Sequence, residues 1–179
     1  MMRSLQVVTL RYGARVTEID APLVPLSERT AFLVAQLGFE VGFRFSDALA
    51  PFGIGPRHYG MLRQLAARDG QTQQQLGDTL HIHRNVMVGL VDELEKRGLV
   101  ERRKHPSDRR AYAVHLLPAA HELLARIEPI VQQIDGGLLT PLDEGERAAL
   151  RGLLDKVVVA AGLAPGVHPG LVRGTGPGC

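Results

Sequence analysis

Apolar residues recur at helical spacing along most of the chain. Phe32, Phe39 and Phe43, with Gln36 between them, fall at i, i+7, i+11 and i+4, which is one helical face. Ser27, Thr30 and Ala31 open that helix, and Pro51 bounds it near Leu49. Pro56 suits the first position of a second helix, which carries Tyr59, Leu62, Leu65 and Ala66 and ends at Asp69-Gly70. Thr72 caps a short helix, Gln73 to Leu80, with Leu76 and Leu80 facing inward. After His81-Ile82 a longer helix runs from about His83 to Arg97, with Val86, Leu90, Val91 and Leu94 inward and Gly98 as its stop. Residues 99–103 and 111–116 read as strands of a hairpin, joined by a charged loop containing Pro106. Pro118 opens a helix with the stripe Leu123, Ile127, Ile130, Ile134 and Leu138. Inside it, the ring of Pro129 opposes the carbonyl of Ala125 and predicts a kink. Asp143 and Glu146 form a capping box before a last helix bearing Leu150, Leu153, Leu154, Val157 and Val158.

The two ends differ from this middle. Leu5 to Tyr12 and Arg15 to Ile19 are β-prone before Pro22 and Pro25, so residues 1–26 form an arm, either a small hairpin or a loose tail. From Pro165 to Cys179, eight of 15 residues are Gly or Pro, which predicts a disordered tail. Residues 27–164 remain as one domain. Its element order predicts a mainly α fold with a small β wing: a winged helix-turn-helix core over 55–117, flanked by long helices. Those helices carry more apolar surface than so small a body covers. The expectation is a homodimer burying more than ~2,000 Å².

Composition narrows the function. With 179 residues, 45% apolar and 22% charged, the chain can bury a core. No apolar run approaches the ~18 residues of a membrane span, and no signal-peptide pattern opens the chain, so a cytoplasmic protein is expected. The single cysteine, Cys179, excludes an internal disulfide or a thiolate zinc cluster. The net charge of +2 hides an asymmetry: Lys96 to Arg110 holds seven basic and two acidic residues. A basic segment on a nearly neutral chain points to a polyanion met at one place.

Gly70 to Leu116 resembles the winged-helix core of the multiple antibiotic resistance regulator (MarR) family. The resemblance rests on Thr72-Gln73, Leu76, Ile82, Leu90-Val91-Asp92, the run Leu94-Glu95-Lys96-Arg97-Gly98-Leu99-Val100, Arg102-Arg103 and Asp108-Arg109-Arg110-Ala111. It implies a homodimeric DNA-binding transcription regulator, often released by small aromatic acids or phenols. The chain departs from the family pattern at Val88-Gly89, where a Thr-Arg pair usually faces DNA. It departs again at Leu117 and Ala120, after the wing.

Candidate DNA contacts follow from chemistry and position. His83, Arg84, Asn85 and Val88 lie in the first turns of the recognition helix. Asn reads adenine, Arg reads guanine, and an aliphatic group touches a thymine methyl. Val86 is expected to be shared with the core. Arg109 and Arg110, at the wing tip, suit a narrow minor groove, with Asp108 as a structural partner. Arg102 and Lys104 alternate to one side of their strand and are candidate phosphate contacts, with Arg103 opposite. The expected partner is double-stranded DNA with a pseudo-palindromic operator.

Six of the eight aromatic residues fall between Phe32 and Tyr59. One reading is core or dimer packing. The other is a ligand pocket lined by Phe39, Phe43 and Tyr59, with Arg44, His58 and Arg63 meeting the headgroup of an aromatic acid or phenol. His81, His83, His105 and His115 invite a zinc reading, but no obvious ligand set completes it, so neither metal nor cofactor is expected. No phosphate loop, nucleophile elbow or cysteine nucleophile is present, and an enzyme is not expected. The competing readings are a winged helix used for protein–protein assembly and a non-specific architectural DNA binder.

Overall fold

A computed structural model describes residues 8–9, 15–16, 23–105, 111–164 and 166–168. The chain divides into two units, residues 1–40 and 41–179. In the first, β1 (Val8–Thr9) pairs antiparallel with β2 (Arg15–Val16), Val8 opposite Val16. A 3-10 turn over Leu26–Glu28 precedes α1 (Thr30–Leu49), whose C-terminal half belongs to the second unit.

The second unit continues with α2 (Pro56–Ala67), β3 (Gln71–Thr72), α3 (Gln73–Leu80), α4 (Arg84–Lys96), β4 (Val100–Lys104), β5 (Tyr112–Leu116), α5 (Pro118–Leu138) and α6 (Glu144–Ala160). Pro56 stands at the start of α2, and Thr72 caps α3 by accepting the Gln75 amide, as their chemistry predicts. Pro129 lies inside α5, which continues through it.

The wing differs from a simple hairpin. β5 is central, with β4 on one side and β3 on the other, in antiparallel register Gln71↔Val114 and Val100↔Leu116. A two-residue strand carries too short an alternation to show in sequence. It is seated by Asp69, which accepts from the Leu116 amide at 2.9 Å and meets His115 Nδ1 at 2.7 Å. Gly70 allows this approach. It has φ +72, and an added Cβ would lie 2.9 Å from the His115 ring.

The core is built from Met61, Leu62 and Leu65 of α2, Leu76 and Leu80 of α3, and Met87, Leu90, Val91 and Leu94 of α4. Val100 and Val114 of the sheet and Leu123, Leu124 and Ile127 of α5 complete it. Phe45, Phe52 and Tyr59 pack half-buried against it, and so does Val167, within the stretch read from sequence as a loose tail. Val86, expected to share the core, is 38% exposed, and Met87 takes the inward place. The helix is rotated so that Met87, Leu90, Val91 and Leu94, at i, i+3, i+4 and i+7, form the buried stripe. In α6 no residue is buried, and Leu153 and Val157 are each 61% exposed. Among the described residues no helix is long and apolar enough to cross a membrane.

Candidate nucleic-acid interface

The turn between α3 and α4 is closed by Ile82, buried and donating its amide to the Gly77 carbonyl at 2.9 Å. His81 takes a left-handed conformation (φ 52) to make that turn. Gly77 is required by proximity: an added Cβ would stand 3.0 Å from the Ile82 carbonyl oxygen. His83 then caps α4, its Nδ1 accepting the Asn85 amide at 3.3 Å. This leaves the Asn85 side chain outside the capping role. His83, Arg84, Asn85 and Val88 are all exposed on a helix whose other side is locked into the core.

Arg102, a candidate phosphate contact, is ion-paired within the chain. Its guanidinium meets Asp92 at 2.5 Å and also Glu95, and its amide donates to Glu95 at 3.1 Å. Two carboxylates of α4 surround it, so it fixes the wing to α4. Arg103 pairs with Glu101 along the strand. Lys104 is exposed at the outer end of β4, opposite Tyr112. Beyond it the His105 amide bonds the Ala111 carbonyl at 3.0 Å. Asp108, Arg109 and Arg110 lie outside the described residues.

Four of the six proposed ligand residues have partners within the chain. Phe39 and Phe43 are 66% and 61% exposed. His58 Nδ1 accepts the Gly55 amide at 3.2 Å and caps α2, while its Nε2 meets Glu93 of α4 at 2.8 Å. Arg63 meets Glu128 of α5 at 2.6 Å. Tyr59 sits edge-on to Phe45, centroids 5.2 Å apart. Burial pushes its phenol above the ordinary range, and Glu128 adds to this against the opposing pull of Arg63. Arg44 is exposed and has an interaction partner. These contacts are side-chain packing, ion pairing and capping, which a count of aromatics along the sequence does not reveal. A separate open groove of about 340 Å³ is lined by Phe52, Arg97, Leu99, Leu123 and Arg126 among others, with Arg126 5.2 Å over the Phe52 ring. Sequence reasoning did not single out this groove, because it is assembled from three stretches of chain far apart in sequence. Among the described residues no three His, Asp, Glu or Cys side chains come together as a metal site, and His115 is taken by Asp69.

Residues 52–111, from the turn before α2 to the end of the wing loop, match the MarR family model. A structure of the transcriptional repressor CouR bound to a 23-mer DNA duplex is 30% identical. It superposes with a TM-score of 0.66 over 74% of this chain and 94% of that one. The chain belongs to the MarR family. CouR from Rhodococcus jostii RHA1, bound to p-coumaroyl-CoA, is 28% identical with a TM-score of 0.65, covering 76% of this chain and 94% of that one. A protein of Thauera aromatica, named as a transcriptional regulator for the hcr operon, is 37% identical over 105 residues, 59% of this chain and 63% of that protein. The HTH-type regulator YkoM of Bacillus subtilis is 32% identical over 78 residues. The chain thus spans about half to two-thirds of the length of these two relatives. Against the MarR pattern, the outward face of α4 is one part that differs: Val88 and Gly89 stand where the family resemblance leads one to expect Thr and Arg.

Proposed function

We propose that the protein is a homodimeric, sequence-specific DNA-binding transcriptional regulator, a repressor released by a small aromatic or phenolic ligand. The observation that carries this reading is the face of α4. His83, Arg84, Asn85 and Val88 are exposed together on a helix held from behind by Met87, Leu90, Val91 and Leu94. A rigid helix with polar readers in its first turn is what entry into a major groove requires. The N-terminus of α4 adds amides that favour phosphate, with no acidic residue in its first turn to oppose it. Lys104, Arg109 and Arg110 extend the contact from the wing to the backbone or an adjacent minor groove. Arg102 is dropped from the contact set, because Asp92 and Glu95 already hold its charge.

The second copy is supported by the uncovered apolar faces of α6 (Leu153, Leu154, Val157, Val159) and, separately, of α1 (Leu33, Val34, Leu37). The repressor and ligand readings rest on similarity to CouR, a repressor known bound to a phenolic thioester and to DNA. His58 supplies a route for control. It joins α2 to Glu93, so a ligand that draws His58 away acts on the recognition helix itself.

The test is footprinting on duplexes flanking the gene, followed by a salt series. A regulator prefers its site over other duplexes by ~10³ or more. Lys104→Ala is expected to flatten the salt dependence by about one unit per protomer. Arg102→Ala is expected to leave that slope unchanged. Equal binding to all duplexes would reduce the protein to a non-specific binder, and binding to none would remove the reading.

A further inference from the structure

The middle of the α4 face cannot read DNA by hydrogen bonding. Arg84 and Asn85 stand at its start, and the next residues, apart from the buried Met87, are Val86, Val88 and Gly89. None of these three has a side-chain donor or acceptor. Both valines lie outside the core, at 38% and 36% exposure. A Cβ built on Gly89 meets nothing within 4 Å, so no neighbouring element covers this stretch. Val88 follows Arg84 by four residues and Gly89 follows Asn85 by four, so the two rows run side by side up one face. Valine and glycine are also weaker helix formers than alanine, so helix stability does not account for them.

In the major groove, base edges offer hydrogen-bond acceptors, donors and one apolar group, the C5 methyl of thymine. An aliphatic side chain there discriminates only by meeting that methyl. Resting on the DNA-binding reading above, we propose that the operator half-site presents thymine methyls to Val88, with Val86 beside it, while Arg84 and Asn85 read neighbouring purine edges. Gly89 keeps the row beside Val88 low, so the helix backbone approaches the groove floor and the short valine side chains reach the methyls. The half-site centre is therefore read by shape and methyl contact, and its ends by hydrogen bonds.

The experiment replaces each thymine of the footprinted half-site in turn by deoxyuridine, which removes the methyl and leaves every polar group in place. At one or two positions the wild-type protein should lose about four-fold in affinity per half-site, the worth of one buried methyl. With Val88→Ala the same substitution should cause no further loss at the position Val88 covers. Because Val88 is exposed, this variant should melt with the wild type, which confirms that it folds. Specific binding with no uridine effect anywhere overturns the proposal alone, and so does an unchanged uridine penalty in Val88→Ala. A protein that binds no duplex overturns both this proposal and the DNA-binding reading.

Discussion

The winged lobe and the last helix treat apolar residues in opposite ways. In the lobe, Leu62, Leu65, Leu76, Val91 and Leu94 are fully buried within one chain. In α6, residues of the same kind at equally regular spacing stay in water, with Leu153 and Val157 each 61% exposed. Sequence periodicity is the same signal in both places. The difference lies in closure. Four helices, α2 to α5, and a sheet surround the lobe core, whereas α6 has an apolar stripe that no other described residue buries. An apolar face left open in this way is stabilised by a partner that covers it, which is the physical content of the proposed dimer.

The largest expected effect tests that contrast directly. Leu94→Ala should cost about 2–5 kcal/mol, because a cavity opens in a closed core. The loss should be independent of protein concentration. Leu153→Ala should leave the isolated lobe intact but weaken self-association, so its melting temperature should fall more at low concentration than at high. Denaturant melts at two concentrations separate the cases. Concentration-independent melting of the wild type, with a monomer in sedimentation equilibrium, would erase the contrast by showing that α6 is simply exposed.

A smaller effect sharpens the same distinction within the helix-turn-helix. Gly77→Ala and Gly89→Ala both improve helix propensity by about 1 kcal/mol. At Gly89 the new methyl meets nothing within 4 Å, so the gain should appear as stability. At Gly77 it would stand 3.0 Å from the Ile82 carbonyl, so the gain should be cancelled or reversed. Equal stabilisation of both variants would mean that the turn between α3 and α4 is looser than its geometry implies.

The smallest effect concerns the seam that closes the lobe. Burial pushes Asp69 up, but the Leu116 amide and His115 outweigh it and hold its carboxyl below the ordinary range. A depressed carboxylate adds stability that is complete above its unfolded value, near 3.8, and is lost as pH falls through the folded value. Asp69 is half exposed, so solvent screens the contribution and it should be modest. Asp69→Asn should therefore narrow the stability gap to wild type as pH drops below about 4. A gap that stays constant through that range would show that Asp69 acts by hydrogen bonding alone.

Much of the lobe was legible before its coordinates. Thr72, Asp143 and Pro56 predict the helix starts where they occur, because a cap acts on amides two or three residues away. The α4 boundaries follow from periodicity and Gly98. What escaped the pattern depends on contacts distant in the chain. Strand β3 is two residues long and exists through its register with β5, more than 40 residues later. Arg102 reads in sequence as one more cation of a basic run. Only packing brings it against Asp92 and Glu95, which offset its charge. His58 and Arg63 likewise read in sequence as headgroup partners, and only packing brings Glu93 and Glu128 of other helices against them. The rotation of α4, which trades Val86 for Met87 in the core, lies between these cases. Both residues fit a helical stripe, and the shape of the surrounding core selects one. Local chemistry along the chain therefore determined the helices, their caps and the winged topology. Which charges stay available, and which apolar residues face outward on the recognition helix, was decided by the tertiary structure, because neutralisation and burial depend on partners far apart in sequence.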